Sequence, residues 1–374
     1  MNSEPTNLPG DSIPAAPSDP SALLAELGWD AARAAELAAL AGPGQLPARV
    51  VARHRGRWMV AGAGGERSAV LAGRFLDHPE DELPTVGDWV VLEPGDDGGT
   101  ARIARLLTRR SAFRRRAAGA ATRGQTLAAN VELALVVTAL SGDLNPRRLE
   151  RYLALAWESG ALPLVVLSKA ELCADLPAAL AVAASAAPGV EVLPVSAATG
   201  EGVERIAARL LPGRTAVLLG SSGVGKSTLA NRLLGEERLR TGGVRGDGRG
   251  RHTTTHRELL RLAGGALLID TPGMRELGLW DAGEGLEAAF GELERLARGC
   301  RFRDCGHDAE PGCAVRAAAR DGTLDPARLE SWRSLRRELA AVERRRDGAA
   351  AAEERRRVRA AQRAVRAHLR RKRG

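Results

Sequence analysis

Gly220, Ser221, Ser222, Gly223, Val224, Gly225, Lys226, Ser227 and Thr228 run consecutively in the pattern G-x-x-x-x-G-K-[ST]. The apolar run Ala216–Leu219 precedes them, and a helical pattern opens at Ser227. In that context the glycines let backbone N–H groups curl around a β-phosphate. Lys226 reaches the β- and γ-oxygens, and the Ser227 hydroxyl suits Mg²⁺. Lysine usage supports the reading. In an arginine-rich chain the only lysines are Lys169, Lys226 and Lys372, and two of them lie in nucleotide motifs. A compact ammonium has a role there that a guanidinium fills poorly.

The motif order is the second constraint. Asp270-Thr-Pro-Gly273 ends another apolar run, Ala266–Ile269, about forty residues after the loop. Its carboxylate would hold Mg²⁺ through water, and the Gly273 N–H would sense the γ-phosphate. Met274 stands where ordinary GTPases often carry a water-orienting Gln, so slow intrinsic hydrolysis is expected. The intervening stretch holds His252, Thr253, Thr254 and Thr255. One threonine would complete the Mg²⁺ shell. The sequence does not choose which, and Thr254 stands as the candidate. His252 is a candidate water-orienting group, with a solvated loop histidine as the alternative.

Ser168, Lys169, Ala170 and Glu171 follow the apolar run Pro163–Leu167. The GTPase consensus there is Asn-Lys-x-Asp, whose acid accepts from the guanine N1–H and exocyclic amine while the lysine stem covers the ring. Glu171 offers the same two oxygens one methylene further out. Ser196 and Ala197 end another apolar run, and an N–H near Ala197 would meet the guanine O6. In an ordinary P-loop GTPase the base-reading segment comes last; here it precedes the phosphate loop. The chain therefore reads as a GTPase fold cut and rejoined at a new place. The imperfect base motif leaves a P-loop ATPase or kinase as an alternative.

Continuous apolar runs alternate with helical patterns through this region, which predicts a parallel sheet covered on both faces. Before it, five short β runs between residues 48 and 107 suit a small OB-type barrel. The expected architecture is multidomain. Residues 1–46 form a disordered and helical leader, 47–110 an OB-fold RNA-binding barrel, and 111–282 a circularly permuted α/β P-loop GTPase domain. Residues 283–345 form an α-helical zinc-binding domain and 346–374 a basic arginine-rich tail. Trp58 and Trp89 are candidates for base stacking or for barrel core. The basic linker over 109–116, with Phe113 inside it, and the tail are candidate contacts to RNA phosphates.

Cys300, Cys305, His307 and Cys313 supply three thiolates and an imidazole, a full tetrahedral set for one structural Zn²⁺. The fourth cysteine, Cys173, stands apart and reads as a small buried hydrophobe. This is not a disulfide framework, so a reducing cytoplasm is expected. No stretch of about twenty apolar residues occurs, which argues against a membrane span. The net charge of +9 points towards a polyanionic partner, although arginine is abundant throughout. At 3% aromatic residues, the core must be built mainly from Leu, Val and Ala.

Together these motifs resemble the bacterial ribosome small subunit-dependent GTPase A family, the circularly permuted ribosome-biogenesis GTPases. The resemblance spans about residues 47–340 and includes Val86-Gly87-Asp88-Trp89-Val90 and the Arg-x-Ser-x-Phe-x-Arg-Arg segment from Arg109. It departs at Ser168 and Glu171. It implies Mg²⁺-assisted hydrolysis of GTP to GDP, stimulated by the small (30S) ribosomal subunit late in its maturation and coupled to release. It further implies contact with rRNA and a monomer without membrane attachment. An RNA-binding scaffold that only senses nucleotide remains the alternative from another class.

Overall fold

The computed structural model describes residues 20–54, 56–76, 78–93, 100–116, 124–239, 257–270 and 283–344. His252, Thr254 and Gly273 lie outside them, as do the other switch threonines, Met274 and the basic tail.

The five β runs become β1 (Leu46–His54), β2 (Arg57–Gly62), β3 (Gly65–Leu71), β4 (Trp89–Leu92) and β5 (Ala101–Leu106). They pair in the order β1-β2-β3-β5-β4, and β4 returns to β1, closing the barrel. Its interior holds Val50, Trp58, Val60, Val90 and Ile103. Trp58 and Trp89 are both core residues, 5% and 1% exposed, so neither offers a face to a base. The Trp58 indole N–H donates to the Pro84 carbonyl at 2.8 Å, which satisfies the one polar group it buries.

The α/β unit follows as β8 (Leu133–Ala139), α3 (Pro146–Glu158), β9 (Leu162–Ser168), α4 (Leu176–Ala186), β10 (Val192–Val195), α5 (Val203–Ala207), β11 (Thr215–Leu219), α6 (Lys226–Leu234), β12 (Arg257–Arg261) and β13 (Leu267–Asp270). Strands β10, β9, β8, β11 and β13 are parallel in that spatial order, as their unbroken apolar runs require; antiparallel β12 follows β13. The strand leading to the phosphate loop is thus central in space although late in the chain.

Barrel and α/β unit share one sheet. β1 pairs β4 through Leu46–Arg49, shifts register between Val50 and Ala52, and then pairs β12 through Ala52 and Arg53. The irregularity bends the strand from one partner to the other. Short helices α1 (Pro20–Glu26) and α2 (Ala31–Leu40) seal this seam, with Leu23 and Leu27 in the common core. Gly28 separates them at φ +86°, and a Cβ there would lie 2.3 Å from the Gly213 carbonyl oxygen. Fully buried Arg49 binds the assembly: it donates to the Leu27 carbonyl, to Thr215 Oγ1 at 2.7 Å, and to the Gly87 and Asn130 carbonyls at 3.2 Å. Burial pushes its pKa down to about 10, so it remains a cation at neutral pH.

Parts of the basic linker are structural. Its second half is strand β6 (Ala112–Arg116), paired with β7 (Gly124–Ala129), and Phe113 is 2% exposed in the core. Arg109 donates to both oxygens of buried Asp88 at 2.9 and 2.8 Å and to the Asp81 and Leu83 carbonyls. Sequence offered Arg109 as a phosphate contact because charge alone does not reveal a buried carboxylate twenty-one residues away. Cys173 is half-buried and not a core residue.

The C-terminal part is helical: α7 (Gly283–Ala289), α8 (Gly291–Ala297), α9 (Ala314–Asp321) and a final helix over 326–344. It docks on α3. Gly285 approaches so closely that a Cβ would lie 2.2 Å from the Ala154 carbonyl oxygen. Arg328, 6% exposed, joins Glu150 of α3 at 2.9 Å and Glu292 of α8, with its guanidinium 4.6 Å over Phe290.

Candidate active site

Four candidate segments leave the carboxyl ends of neighbouring parallel strands: Ser196 after β10, Ser168 at the end of β9, Gly220 after β11 and Asp270 at the end of β13. Register aligns them, with Val195 opposite Ser168, Ser168 opposite Ala139, and Val136 opposite Leu219. In open α/β sheets this edge, where strand order reverses, is the place for ligands.

The phosphate loop has the backbone its glycines permit. Gly220 stands at φ +140°, and a Cβ there would lie 2.2 Å from the Val137 carbonyl oxygen. Gly223 and Gly225 have φ +81° and +93°, which L side chains rarely adopt. Gly225 precedes α6 without a side-chain cap, so the first-turn N–H groups at Ser227 and Thr228 face an anion position. The Lys226 ammonium lies across the loop and donates to the Gly220 and Ser221 carbonyls at 2.8 and 2.5 Å. Ser221, Ser222 and Val224 complete the turn, Val224 with its side chain in the core.

The base-reading candidates are tied to this loop. Ser168, 2% exposed, donates its hydroxyl to the Val224 carbonyl at 2.5 Å and lies 3.2 Å from the Thr138 carbonyl. Lys169 is left-handed at φ 56°, ψ 40°, and starts the 3-10 turn Ala170–Leu172 that contains Glu171. Non-glycine residues rarely hold that conformation, and sites of recognition are where it recurs. Among the described residues only Asn130, Lys169 and His307 do so, and two of these belong to the candidate sites.

At the second base segment, the Ser196 carbonyl accepts from Gly200 N–H at 2.8 Å and the Ser196 hydroxyl from Thr199 N–H at 3.1 Å. Arg232 of α6 donates to the Ala197 carbonyl at 2.8 Å and to the Ala198 carbonyl at 2.7 Å. Sequence reading missed Arg232, since no motif marks it. Asp270 is half-buried at the end of β13, with Glu258 opposite in the antiparallel pair.

Cys300, Cys305, His307 and Cys313 bring their ligand atoms within 4.8 Å of one another. His307 Nδ1 lies 3.6 Å from Cys300 Sγ and 3.4 Å from Cys313 Sγ, and the two sulfurs are 3.9 Å apart. Metal bonds of about 2.3 Å to sulfur and 2.0–2.1 Å to nitrogen give tetrahedral edges of about 3.4–3.8 Å, so the donor set fits such an ion. Four protein donors would leave such an ion no open position. Cys313 also caps α9 by accepting from Arg316 N–H at 3.4 Å.

A family model, RsgA GTPase, matches residues 106–280. A Small ribosomal subunit biogenesis GTPase RsgA of Streptomyces coelicolor is 50% identical over 334 residues, covering 87% of this chain and 89% of the relative. The protein of that name from Syntrophotalea carbinolica is 47% identical over 329 residues, covering 85% and 90%. The chain belongs to the RsgA GTPase family. Among solved structures, YjeQ from Thermotoga maritima superposes with a TM-score of 0.60 at 25% identity, covering 79% of this chain and 99% of that one. YloQ, titled a circularly permuted GTPase, gives a TM-score of 0.59 at 22% identity over 79% and 96% and shares the fold. The multidomain expectation of barrel, permuted α/β unit and helical region with its Cys/His cluster holds for this chain.

Proposed function

We propose that this protein hydrolyses GTP to GDP and phosphate in the late maturation of the small ribosomal subunit, with subunit binding accelerating hydrolysis and hydrolysis triggering release. Gly220–Thr228 grip the phosphates, with Lys226 set against the β- and γ-oxygens. Ser227, Asp270 and one switch threonine, Thr254, hold Mg²⁺, which neutralises developing charge on the phosphates when bound. The Gly273 N–H senses the γ-phosphate and His252 orients the water. Lys169 covers the base, Glu171 accepts from its N1–H and amine, and Ser196 and Ala197 meet O6. Ala170 completes that turn. One Zn²⁺ on the Cys300, Cys305, His307 and Cys313 set stabilises the C-terminal helices. The protein acts as a cytoplasmic monomer on rRNA.

The hydroxyl of Ser168 on the Val224 carbonyl is the observation that supports this reading most directly. It joins the segment that would read the base to the loop that would grip the phosphates, so one nucleotide spans both. The departures from Asn-Lys-x-Asp are conservative in that light: serine keeps the bond to the loop, and glutamate keeps two acceptor oxygens.

Hydrolysis titrated with purified small subunits tests the proposal, with Lys226→Ala as control. Slow basal turnover that rises at least about tenfold with subunits, and vanishes in the variant, is the expected result. ATP outcompeting GTP would favour an ATPase. Negligible turnover with no stimulation would favour a nucleotide-sensing RNA scaffold.

A further inference from the structure

We propose that Arg232 is a positioning residue for purine recognition, holding the Ala197 and Ala198 carbonyls so that the N–H groups of this turn face the 6-oxo group of guanine. The inference rests on the assignment of Ser196 and Ala197 to the base given above, and adds what orients them.

Peptide planarity makes the inference physical. In a trans peptide the C=O and N–H of one unit point in opposite directions. A donor fixed on the Ala197 carbonyl therefore fixes the direction of the Ala198 N–H. The Gly200 N–H does the same for the Ala197 N–H by holding the Ser196 carbonyl at 2.8 Å. Arg232 spans two successive carbonyls at 2.8 and 2.7 Å, so it sets the two peptide planes that carry the Ala198 and Thr199 N–H groups, of which Ala198 is the donor left open to a ligand. A rigid guanidinium fork suits this better than an ammonium. The Thr199 N–H is engaged by the Ser196 hydroxyl at 3.1 Å. The Ala197 and Ala198 N–H groups meet no acceptor among the described residues, although Ala197 is only 8% exposed. A buried backbone donor such as the Ala197 N–H ordinarily finds a partner, and an oxo group on a bound purine is one; Ala198 is exposed, so its N–H, aimed by Arg232, is open to the same ligand atom.

The location adds a consequence. Arg232 stands on α6, the helix whose first turn faces the anion position, and reaches across to the loop after β10. With Ser168 bound to Val224, both base segments are fixed to the phosphate loop and its helix, each by a separate side chain. The distance between base donors and phosphate donors is then set by one rigid element, which favours a ligand carrying both groups at the matching separation.

Competition binding of GDP, ADP and 6-thio-GDP to the full chain and to Arg232→Ala tests this. The thio analogue keeps N1–H and the exocyclic amine but replaces O6 by sulfur, a weak acceptor. The wild type should prefer GDP to 6-thio-GDP. Arg232→Ala should lose about tenfold in GDP affinity and less than about twofold in 6-thio-GDP affinity, a difference of about 1 kcal/mol on the 1.4 kcal/mol-per-decade scale. Arg232→Lys, which keeps a cation but loses the fork, should fall between and covers the case in which the alanine variant does not fold. Equal losses for both ligands, or no loss for GDP, would overturn the positioning role. Equal binding of GDP and 6-thio-GDP by the wild type, with ADP still rejected, would remove the O6 contact and this inference while leaving the GTPase reading intact. Equal binding of ADP and GDP would overturn the functional reading itself.

Discussion

Ser168 and Val224 are 56 positions apart in sequence, yet the serine hydroxyl donates to the valine carbonyl across 2.5 Å. A hydroxyl has one proton, so the Thr138 carbonyl at 3.2 Å is the lesser acceptor. The bond lies in the core and joins the end of β9 to the phosphate loop. Around it, four motifs scattered over about a hundred residues become neighbours on one sheet edge.

Ser168→Ala should leave the Val224 carbonyl without its donor and destabilise the fold by about 1–3 kcal/mol, the range for a buried polar group left unpaired. Urea unfolding measures the loss. GDP affinity should fall in parallel, since the loop and the base segment would no longer be held together. Ser168→Asn should retain more affinity than Ser168→Ala.

Stripping metal should unfold the C-terminal helices first. One equivalent of zinc is expected by atomic spectroscopy in the purified chain. A strong chelator, or Cys313→Ser, should lower Tm by at least about 5 °C; each kcal/mol moves Tm by about 2–4 °C in domains of 150–250 residues. Cys313 packs with Val315, Trp332 and Leu335 in the main core cluster, so the damage should reach α3. Undiminished Tm after complete metal removal would contradict a structural ion.

Arg328→Ala should cost about 3–5 kcal/mol, the range for removing one partner of a buried pair. Glu150 would remain 2% exposed without its cation, and burial already raises its carboxyl above the ordinary range. Calorimetry or urea unfolding reads the change. Combining Arg328→Met with Glu150→Leu should recover part of it, because the fully buried charge is gone while the less buried Glu292 still lacks its partner.

Asp30 gives a pH signature. The Arg110 guanidinium, bonded at 2.5 and 2.8 Å, holds its carboxyl down at about 2, and the Arg33 N–H of α2 adds a cap bond. A depressed carboxyl stabilises the fold above its unfolded value near 3.8, and that contribution is lost as pH falls through about 2. Both side chains are about two-fifths exposed, so screening limits the pair to about 1 kcal/mol or less. Wild-type stability should therefore drop between pH 4 and 2 by up to that amount more than Asp30→Asn stability, read by urea unfolding at each pH.

Much of the fold was legible in the residues because its signals are local. Gly220 must be glycine for its φ, β8 and β9 are unbroken apolar runs, and three cysteines and a histidine share fourteen positions. The five barrel strands were likewise marked by turn residues between β runs. Motif type and order marked Ser168, Lys169 and Glu171 as partners of the Gly220 loop, and parallel strands with crossover helices bring such carboxyl ends to one edge.

Tertiary structure alone decided the rest, because it depends on contacts between residues distant in the chain. That Arg109 serves buried Asp88 and not a phosphate, that Phe113 is core, and that Trp89 is sealed rather than offered to a base all follow from neighbours no local pattern names. The register shift that lets β1 leave the barrel for β12 belongs to the same class. So does Arg232, an ordinary helix arginine in sequence. Its place on two carbonyls comes from the packing of α6 beside the loop after β10. Local chemistry chose the elements and the candidate ligands, whereas long-range packing chose which charged side chains are structural and which remain for a ligand.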